Sequence, residues 1–175
     1  MPAVQLDGRV LYYTQKKADS TVYPPLILLH GAGGSRLDWP GELRRLPGPR
    51  VIALDLPGHG RSTGIGFADT RLYADEVCAL LDALHIERAI IAGHSMGGAI
   101  AQQIGINRPE HAAGLILIGT GSKLPIDPTL PQRIIDDTDK TLDWLGDWSW
   151  SPDTPAGVKA LSRQRLSEIS PDVLR

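Results

Sequence analysis

One serine in this sequence is placed for covalent chemistry. Ser95 lies in Gly93-His94-Ser95-Met96-Gly97, a match to G-x-S-x-G between an apolar run at residues 89–92 and a helical pattern at 96–106. On a tight strand-to-helix turn, the hydroxyl would stand above the carboxyl end of the strand, where open α/β sheets place their sites. Gly93 and Gly97 lack the Cβ atoms that would clash there. The pattern predicts a nucleophile; a glycine-rich turn with a bystander serine is the alternative.

A second glycine-rich segment, His30-Gly31-Ala32-Gly33-Gly34, follows another apolar run. Small residues at such a place let backbone N–H groups approach the carbonyl oxygen of a substrate. One donor of this kind can contribute ~10²–10³ in rate. A flexible turn is the alternative, but the presence of the Ser95 turn favours the functional interpretation.

The elements that must position these residues alternate along the chain. Four short runs, apolar on both faces, predict strands buried in a parallel sheet: residues 26–29, 51–54, 89–92 and 115–118. Helical patterns fill the gaps; one places Val77, Leu80, Leu81 and Leu84 on one face, with Asp69 or Thr70 as its cap. The alternation predicts an α/β fold with a mostly parallel, doubly wound sheet and right-handed crossovers.

Other segments flank this predicted sheet. Residues 4–14 alternate around Asp7-Gly8 and predict an N-terminal β-hairpin, and a further helix is predicted at 39–46. After Thr120, a proline-rich link leads to two predicted helices at 132–145 and 155–169. We therefore predict a core over residues 1–119 and a helical appendage over 120–175.

Three motifs in this order resemble the α/β-hydrolase fold family. They are the glycine-rich segment at His30, the segment Asp55-Leu56-Pro57-Gly58-His59-Gly60-Arg61-Ser62, and the turn at Ser95. The resemblance runs from residue 4 to about 119 and is specific in its motifs. Beyond residue 120 it is only positional, since many members insert a helical cap there.

The resemblance implies roles for particular residues. Ser95 would be the nucleophile, and the backbone N–H groups of Ala32 and Met96 would form the oxyanion hole. The segment 55–62 would shape the site without making bonds, and no metal or organic cofactor is implied. Relatives that open epoxides carry Asp at the nucleophile position, so serine favours ester, thioester, amide, lactone or C–C acyl cleavage. Three residues would support the turn around the nucleophile: Gly93, His94 and Gly97.

The appendage contains a tryptophan-rich stretch with Trp144, Trp148 and Trp150. Packing of the cap is the favoured interpretation, while Trp144 and Trp148 are candidates for lining an acyl pocket beneath a lid. An acidic run at residues 136–139 lacks the glycine and the later Glu of a calcium loop. It predicts a solvated helix face rather than a metal site.

The family orders its catalytic triad as Ser, then Asp or Glu, then His. The chain has five histidines, and none follows a late strand. His59 is the remaining candidate for a general base, and Asp127 and Asp153 are expected to be solvated. Loss of the base can cost on the order of 10⁶ in kcat. We therefore expect these 175 residues to be part of a longer hydrolase, with the missing C-terminal part of the fold completing the site; a natural truncation is the alternative. Without further strands, the run at 115–118 would form an open sheet edge.

Composition sets the remaining bounds. Eighteen basic and 20 acidic residues give a net charge of −2, which offers no reason to expect nucleic acid or an anionic membrane as partner. The lone Cys78 excludes an internal disulfide, and no signal peptide is visible, so we expect a cytoplasmic protein. The leading hypothesis is a carboxylesterase-like serine hydrolase acting on a small-molecule acyl substrate. The alternatives are a hydrolase-derived ligand-binding protein, an acyltransferase or a C–C hydrolase on the same fold.

Overall fold

The computed structural model describes residues 2–123, 127–170 and 173, with only the backbone of Trp148. The chain divides into two compact units, Met1–Leu124 and Pro125–Arg175. Within the described residues, the first unit contains the sheet, three α-helices and a short 3₁₀ helix (Pro109–His111), and the second contains three α-helices. In the described part of the chain, no helix is both long enough and apolar enough to span a membrane.

One six-stranded sheet organises the first unit. Its strands lie in the order β1-β2-β4-β3-β5-β6, and the last four of these run parallel to one another. The fold class predicted from the sequence is confirmed. The strands are β1 (Ala3–Leu6), β2 (Arg9–Lys16), β3 (Leu26–Leu29), β4 (Val51–Leu54), β5 (Ala89–His94) and β6 (Ala112–Ile118).

The strand register decides which loops become neighbours. Leu29, the last residue of β3, pairs with Leu54 at the end of β4 and with Gly93 near the end of β5. Because parallel strands share one carboxyl edge, the three turns that follow β3, β4 and β5 meet there. The two predicted functional segments and the Asp55 segment are therefore brought together by the sheet.

The N-terminal hairpin joins the sheet through β2, which runs antiparallel to β4. Its turn lies at Asp7 and Gly8, where φ is 41° and 82°. Two successive positive φ angles characterise the type I′ turn that matches the twist of a two-residue hairpin. The predicted hairpin and the position of its turn are confirmed.

The helices of the first unit are α1 (Gly41–Arg44), α2 (Thr70–Ala83) and α3 (Met96–Asn107). Asp69 caps α2, since its carboxylate accepts the Arg71 N–H at 2.8 Å. The predicted helix at 39–46 is reduced to the single turn of α1.

The second unit contains α4 (Leu130–Asp136), α5 (Thr138–Ser149) and α6 (Ala156–Ser167). The prediction of one helix over 132–145 is wrong. The chain leaves helical geometry at Asp137, with φ −152° and ψ 82°, and the Asp137 carboxylate accepts the Lys140 N–H at 3.1 Å to cap α5. The Thr141 hydroxyl also bonds the Arg133 carbonyl near the end of α4, so polar side chains compensate the break.

The apolar core lies on both faces of the sheet. Alternate residues of β3 and β4 point in opposite directions: Ile27 and Ile52 pack with α2 and α3, whereas Leu28 and Ala53 pack with Trp39. This two-sided burial explains why these strands read as continuous apolar runs. The edge strand β6 differs, because its Leu115, Ile116, Leu117 and Ile118 are 39–46% exposed.

Candidate active site

Ser95 occupies a strained turn between β5 and α3. Its φ of 52° and ψ of −117° lie in a region that residues with a side chain rarely adopt, at a cost of ~1–3 kcal/mol. Its N–H donates to the Ile118 carbonyl at 2.9 Å, and its own carbonyl accepts the Gly98 N–H at 2.9 Å. The fold thus holds Ser95 in a conformation it would not adopt alone.

Glycines make this turn possible. A Cβ on Gly93 would overlap the Gly97 carbonyl, and a Cβ on Gly97 would overlap the backbone carbonyl of Leu29 on the neighbouring strand. A Cβ on Gly98 would overlap the Thr120 side chain. The turn is therefore packed tightly against β3 and the segment after β6.

The loop after β3 lies beside Ser95. A Cβ on Gly31 would come within 3.3 Å of the Ser95 Cβ, which places the Gly31–Ala32 peptide next to the serine. Among the described residues, no acceptor is hydrogen-bonded to the backbone N–H of Ala32 or of Met96. Two backbone donors with no acceptor among the described residues thus occur on the two turns beside Ser95.

His30 is buried in this loop and joins it to the next one. The Leu56 N–H donates to His30 Nε2 at 3.0 Å, and His30 Nδ1 lies 2.7 Å from the Gly31 carbonyl oxygen. Burial, with the neighbouring His59 as a smaller cause, lowers the pKa of His30 to about 3. His30 is therefore neutral at physiological pH.

Asp55, directly after β4, is completely buried and holds two loops together. Its carboxylate accepts the backbone N–H of Arg36 at 2.8 Å and of Arg61 at 2.9 Å, and it pairs with the Arg36 guanidinium. Gly60, with φ 57°, passes so close that a Cβ there would overlap the carboxylate. Asp55 thus organises the loops and has no access to a substrate.

His59 is not hydrogen-bonded to Ser95 in the described part of the chain. Its Nδ1 bonds the Pro57 carbonyl at 3.0 Å, and its ring lies 5.0 Å from that of His30 and 6.3 Å from that of Tyr73. Its Nε2 is buried without a hydrogen-bond partner among the described residues, and burial lowers the pKa of His59. Within the described part of the chain, no side chain hydrogen-bonds the Ser95 hydroxyl.

The other three histidines are not hydrogen-bonded to Ser95 within the described residues. The exposed His94 adjoins the loop after β3, since a Cβ on Gly31 would approach its Nδ1 to 3.2 Å and a Cβ on Gly119 would approach its Nε2 to 3.3 Å. His85 and His111 precede β5 and β6, at the edge of the sheet opposite to Ser95, and His111 Nε2 lies 3.9 Å from Asp82. The structure therefore does not place any of the three as the hydrogen-bonded base of Ser95.

In the second unit, Trp144 is 37% exposed and stacks under the Arg133 guanidinium, 4.4 Å from its ring centroid. The side chain of Trp148 lies outside the described residues.

Asp127 accepts hydrogen bonds from the N–H and the hydroxyl of Thr129, and these bonds lower its pKa, as does Arg133. Within the described ranges, no cluster of three His, Cys, Asp or Glu side chains could hold a metal ion.

The sequence did not reveal two residues that contribute to the loops around Ser95 and Asp55. Arg36, the buried partner of Asp55, had no motif to reveal it, because the pairing joins two different loops. Thr120 packs against the Gly98 backbone after β6. The second glycine of Gly97-Gly98 was the available sign that another segment approaches the turn closely.

Comparison with known proteins places this arrangement in a family. A family model described as the alpha/beta hydrolase fold matches residues 24–155. The chain belongs to the α/β hydrolase fold family. Ser95, the Ala32 loop and the Asp55 loop all lie within the matched span.

The chain matches only part of the length of its curated relatives. The chain is 39% identical over 118 residues to the dihydrolipoyllysine-residue acetyltransferase component of an acetoin cleaving system from Pseudomonas putida, covering 66% of this chain and 31% of the relative. It is 38% identical over 107 residues to a 2-hydroxy-6-oxononadienedioate/2-hydroxy-6-oxononatrienedioate hydrolase from Paraburkholderia phymatum, covering 57% and 37%. The chain thus spans about a third of the length of these relatives.

A solved structure matches more fully. Est816, described as an N-acyl homoserine lactone degrading enzyme, superimposes with a TM-score of 0.84 at 25% identity, covering 99% of this chain and 69% of Est816. The match extends over nearly the whole of this chain.

Proposed function

We propose that the protein is a serine hydrolase that cleaves a small ester or related acyl substrate through an acyl-enzyme on Ser95. The observation that carries the proposal is the left-handed backbone of Ser95, with φ 52°, between a buried parallel strand and a helix. Strain of this kind persists only where surrounding structure enforces it, and it clusters at functional sites. If this loop had no chemical role, its backbone could adopt an unstrained φ and ψ, and any small residue could stand at position 95.

In the proposed reaction, Ser95 Oγ attacks the carbonyl carbon of the substrate while a general base removes the hydroxyl proton. The carbonyl oxygen becomes an oxyanion, which the N–H groups of Ala32 and Met96 stabilise. Collapse of this intermediate expels the alcohol, which takes up the proton, and leaves an acyl-enzyme. Water then attacks the acyl carbon, and its proton passes through the base back to Ser95 as the acid departs.

The general base is proposed to come from outside these 175 residues. His30 uses both ring nitrogens within the loops, and His59 is buried with Nδ1 engaged. His94 adjoins the turn but is not hydrogen-bonded to the Ser95 hydroxyl within the described residues, and His85 and His111 lie at the other edge of the sheet. A base must reach hydrogen-bonding distance of the Ser95 hydroxyl, which none of these satisfies.

The bond that is cleaved has two leading candidates. The likeness to Est816 supports an ester or lactone, because the name of that protein gives an N-acyl homoserine lactone as its substrate. The likeness to the Paraburkholderia phymatum hydrolase supports a second candidate, hydrolysis of an oxo-dienoate at a carbon–carbon bond. Both reactions release an acyl group, and both could use the same Ser95 turn.

A fluorophosphonate probe tests the nucleophile. We expect the protein purified from its own source to gain one probe mass, located on Ser95, and Ser95→Ala to gain none. Ser62→Ala is the matched control, since the Ser62 hydroxyl is buried and donates to the Asp55 carbonyl at 2.7 Å. Labelling of Ser95→Ala at the wild-type rate would overturn the proposal.

Substrate assays then separate the functional classes. Burst release of p-nitrophenol from p-nitrophenyl acetate is expected for an ester-cleaving enzyme, whereas turnover of a 2-hydroxy-6-oxo-dienoate with no ester turnover would favour the carbon–carbon hydrolase. Tight retention of an acyl ligand with no turnover and no labelling would instead identify a ligand-binding protein.

A further inference from the structure

The two hydrogen bonds of His30 define its tautomer. His30 is 1% exposed, and the Leu56 N–H donates to its Nε2 at 3.0 Å. A nitrogen that accepts an N–H carries a lone pair, so the single ring proton of the neutral imidazole lies on Nδ1. Nδ1–H is therefore the donor in the 2.7 Å contact with the Gly31 carbonyl oxygen.

The acceptor in this contact belongs to the peptide that also carries the Ala32 N–H. The Gly31 carbonyl accepts a second hydrogen bond, from the Gly34 N–H at 3.1 Å. The peptide bond is planar and trans, so its N–H is directed opposite to its carbonyl. Two donors that fix the Gly31 oxygen therefore also fix the direction of the Ala32 N–H, in a peptide that adjoins the Ser95 Cβ.

We infer that His30 is a positioning residue for the oxyanion hole: its Nδ1–H holds the Gly31–Ala32 peptide so that the Ala32 N–H stays directed away from the buried loop. The inference rests on the proposed function. His30 does not touch the substrate and acts only through this peptide. The Leu56 N–H has a supporting part, because it keeps the proton on Nδ1.

The two hydrogen bonds of His30, from the Leu56 N–H and to the Gly31 carbonyl, also require a neutral imidazole. A charged imidazole would carry a proton on Nε2 that opposes the Leu56 N–H. Burial disfavours the charged form, and the nearby His59 and His94 disfavour it further, while the Asp38 carboxylate lies across Gly34 from Nδ1. The bond to Gly31 is therefore expected to persist throughout the pH range in which a serine hydrolase works.

Two substitutions separate the two nitrogens. In His30→Asn, the amide nitrogen can take the place of Nδ1 and donate to Gly31, while the Leu56 N–H loses its acceptor. In His30→Gln, the amide oxygen can take the place of Nε2 and accept from Leu56, while Gly31 loses its donor. The two variants have similar polarity and each removes one hydrogen bond, so each controls for the other.

We expect His30→Gln in the full-length protein to lower kcat on p-nitrophenyl acetate about tenfold to a hundredfold, with KM changed by less than about twofold. His30→Asn should keep kcat within about threefold of the wild type. Equal losses in the two variants, or a larger loss in His30→Asn, would show that His30 is only a structural tie and would overturn the inference.

A second measurement does not depend on turnover or on the folding of a variant. Nitrogen-15 spectra of the His30 ring in the wild-type protein should show a protonated Nδ1 and an unprotonated Nε2, unchanged from pH 5 to pH 9. A proton on Nε2, or titration near the ordinary histidine pKa, would overturn the inference while Ser95 still reacts with the probe. Failure of the probe to label Ser95 would instead overturn the proposed function.

Discussion

The turn at Ser95 follows β5 and the turn at Asp55 follows β4, the two strands that flank β3 in one sheet. Both turns are glycine-rich, yet their polar side chains have opposite surroundings. Ser95 is half-buried on a strained backbone, and its hydroxyl has no hydrogen-bond partner among the described residues. Asp55 is fully buried and accepts donors from Arg36 and Arg61. A side chain whose hydrogen-bonding capacity is filled can hold loops, whereas one that is left free on a rigid backbone can react.

Removal of the Asp55 carboxylate should have the largest effect on the fold. Asp55→Ala removes the carboxylate that pairs with the buried Arg36 guanidinium and accepts two backbone N–H groups, which costs about 3–5 kcal/mol in the free energy of unfolding. Urea denaturation measures this loss. Asp69→Ala is the control, because it removes an exposed helix cap and should cost only about 1 kcal/mol. Equal losses in the two variants would contradict the view that Asp55 holds the loops together.

Acid should lower the stability of the folded protein, because the loops after β3 and β4 contain two buried histidines, His30 and His59. The pKa of His30 is lowered from 6.5 to about 3 in the folded protein, and burial lowers that of His59 as well. Between the unfolded and folded pKa values the unfolded chain binds more protons, so stability is complete above pH 6.5 and falls as the pH drops toward 3. We expect a loss of about 1–2 kcal/mol from His30 between pH 6.5 and pH 5.

Urea midpoints measured across this range test the expectation. The urea midpoint of His30→Asn should fall less steeply with decreasing pH than that of the wild type, since asparagine cannot take up the proton. A wild-type protein whose stability rises on acidification over the same interval would contradict it.

Relief of strain at Ser95 should change the free energy of unfolding least, and it should stabilise the protein, whereas the other changes destabilise it. Ser95→Gly removes the side chain that opposes the positive φ, so the variant should be about 0.5–1 kcal/mol more stable than Ser95→Ala, which keeps the strain. Thermal unfolding of the two variants measures the difference, and both should fail to react with the fluorophosphonate. Equal stability would indicate that the turn stores no strain.

Much of the candidate site could be predicted because it depends on local patterns. Apolar runs bounded by glycine-rich turns gave β3 and β4 their bounds, and the spacing around Ser95 predicted a strand-to-helix turn. The helix break at Asp137 was missed, because the apolar and polar spacing on its two sides is compatible with one continuous helix. The break depends on hydrogen bonds made by Asp137 and Thr141, which compete locally with the helical ladder.

The sequence by itself determined the identity of the strands, the type of the Asp7-Gly8 turn and the need for glycine on both sides of Ser95, because each follows from steric rules acting within a few residues. Only the tertiary structure decided that Arg36 pairs with Asp55 and that His30 joins Leu56 to Gly31. These bonds exist because β3 and β4 pair in register and end side by side, so the residues that follow them become neighbours. That register is a property of the assembled sheet, where burial of whole strands outweighs any preference of a single loop.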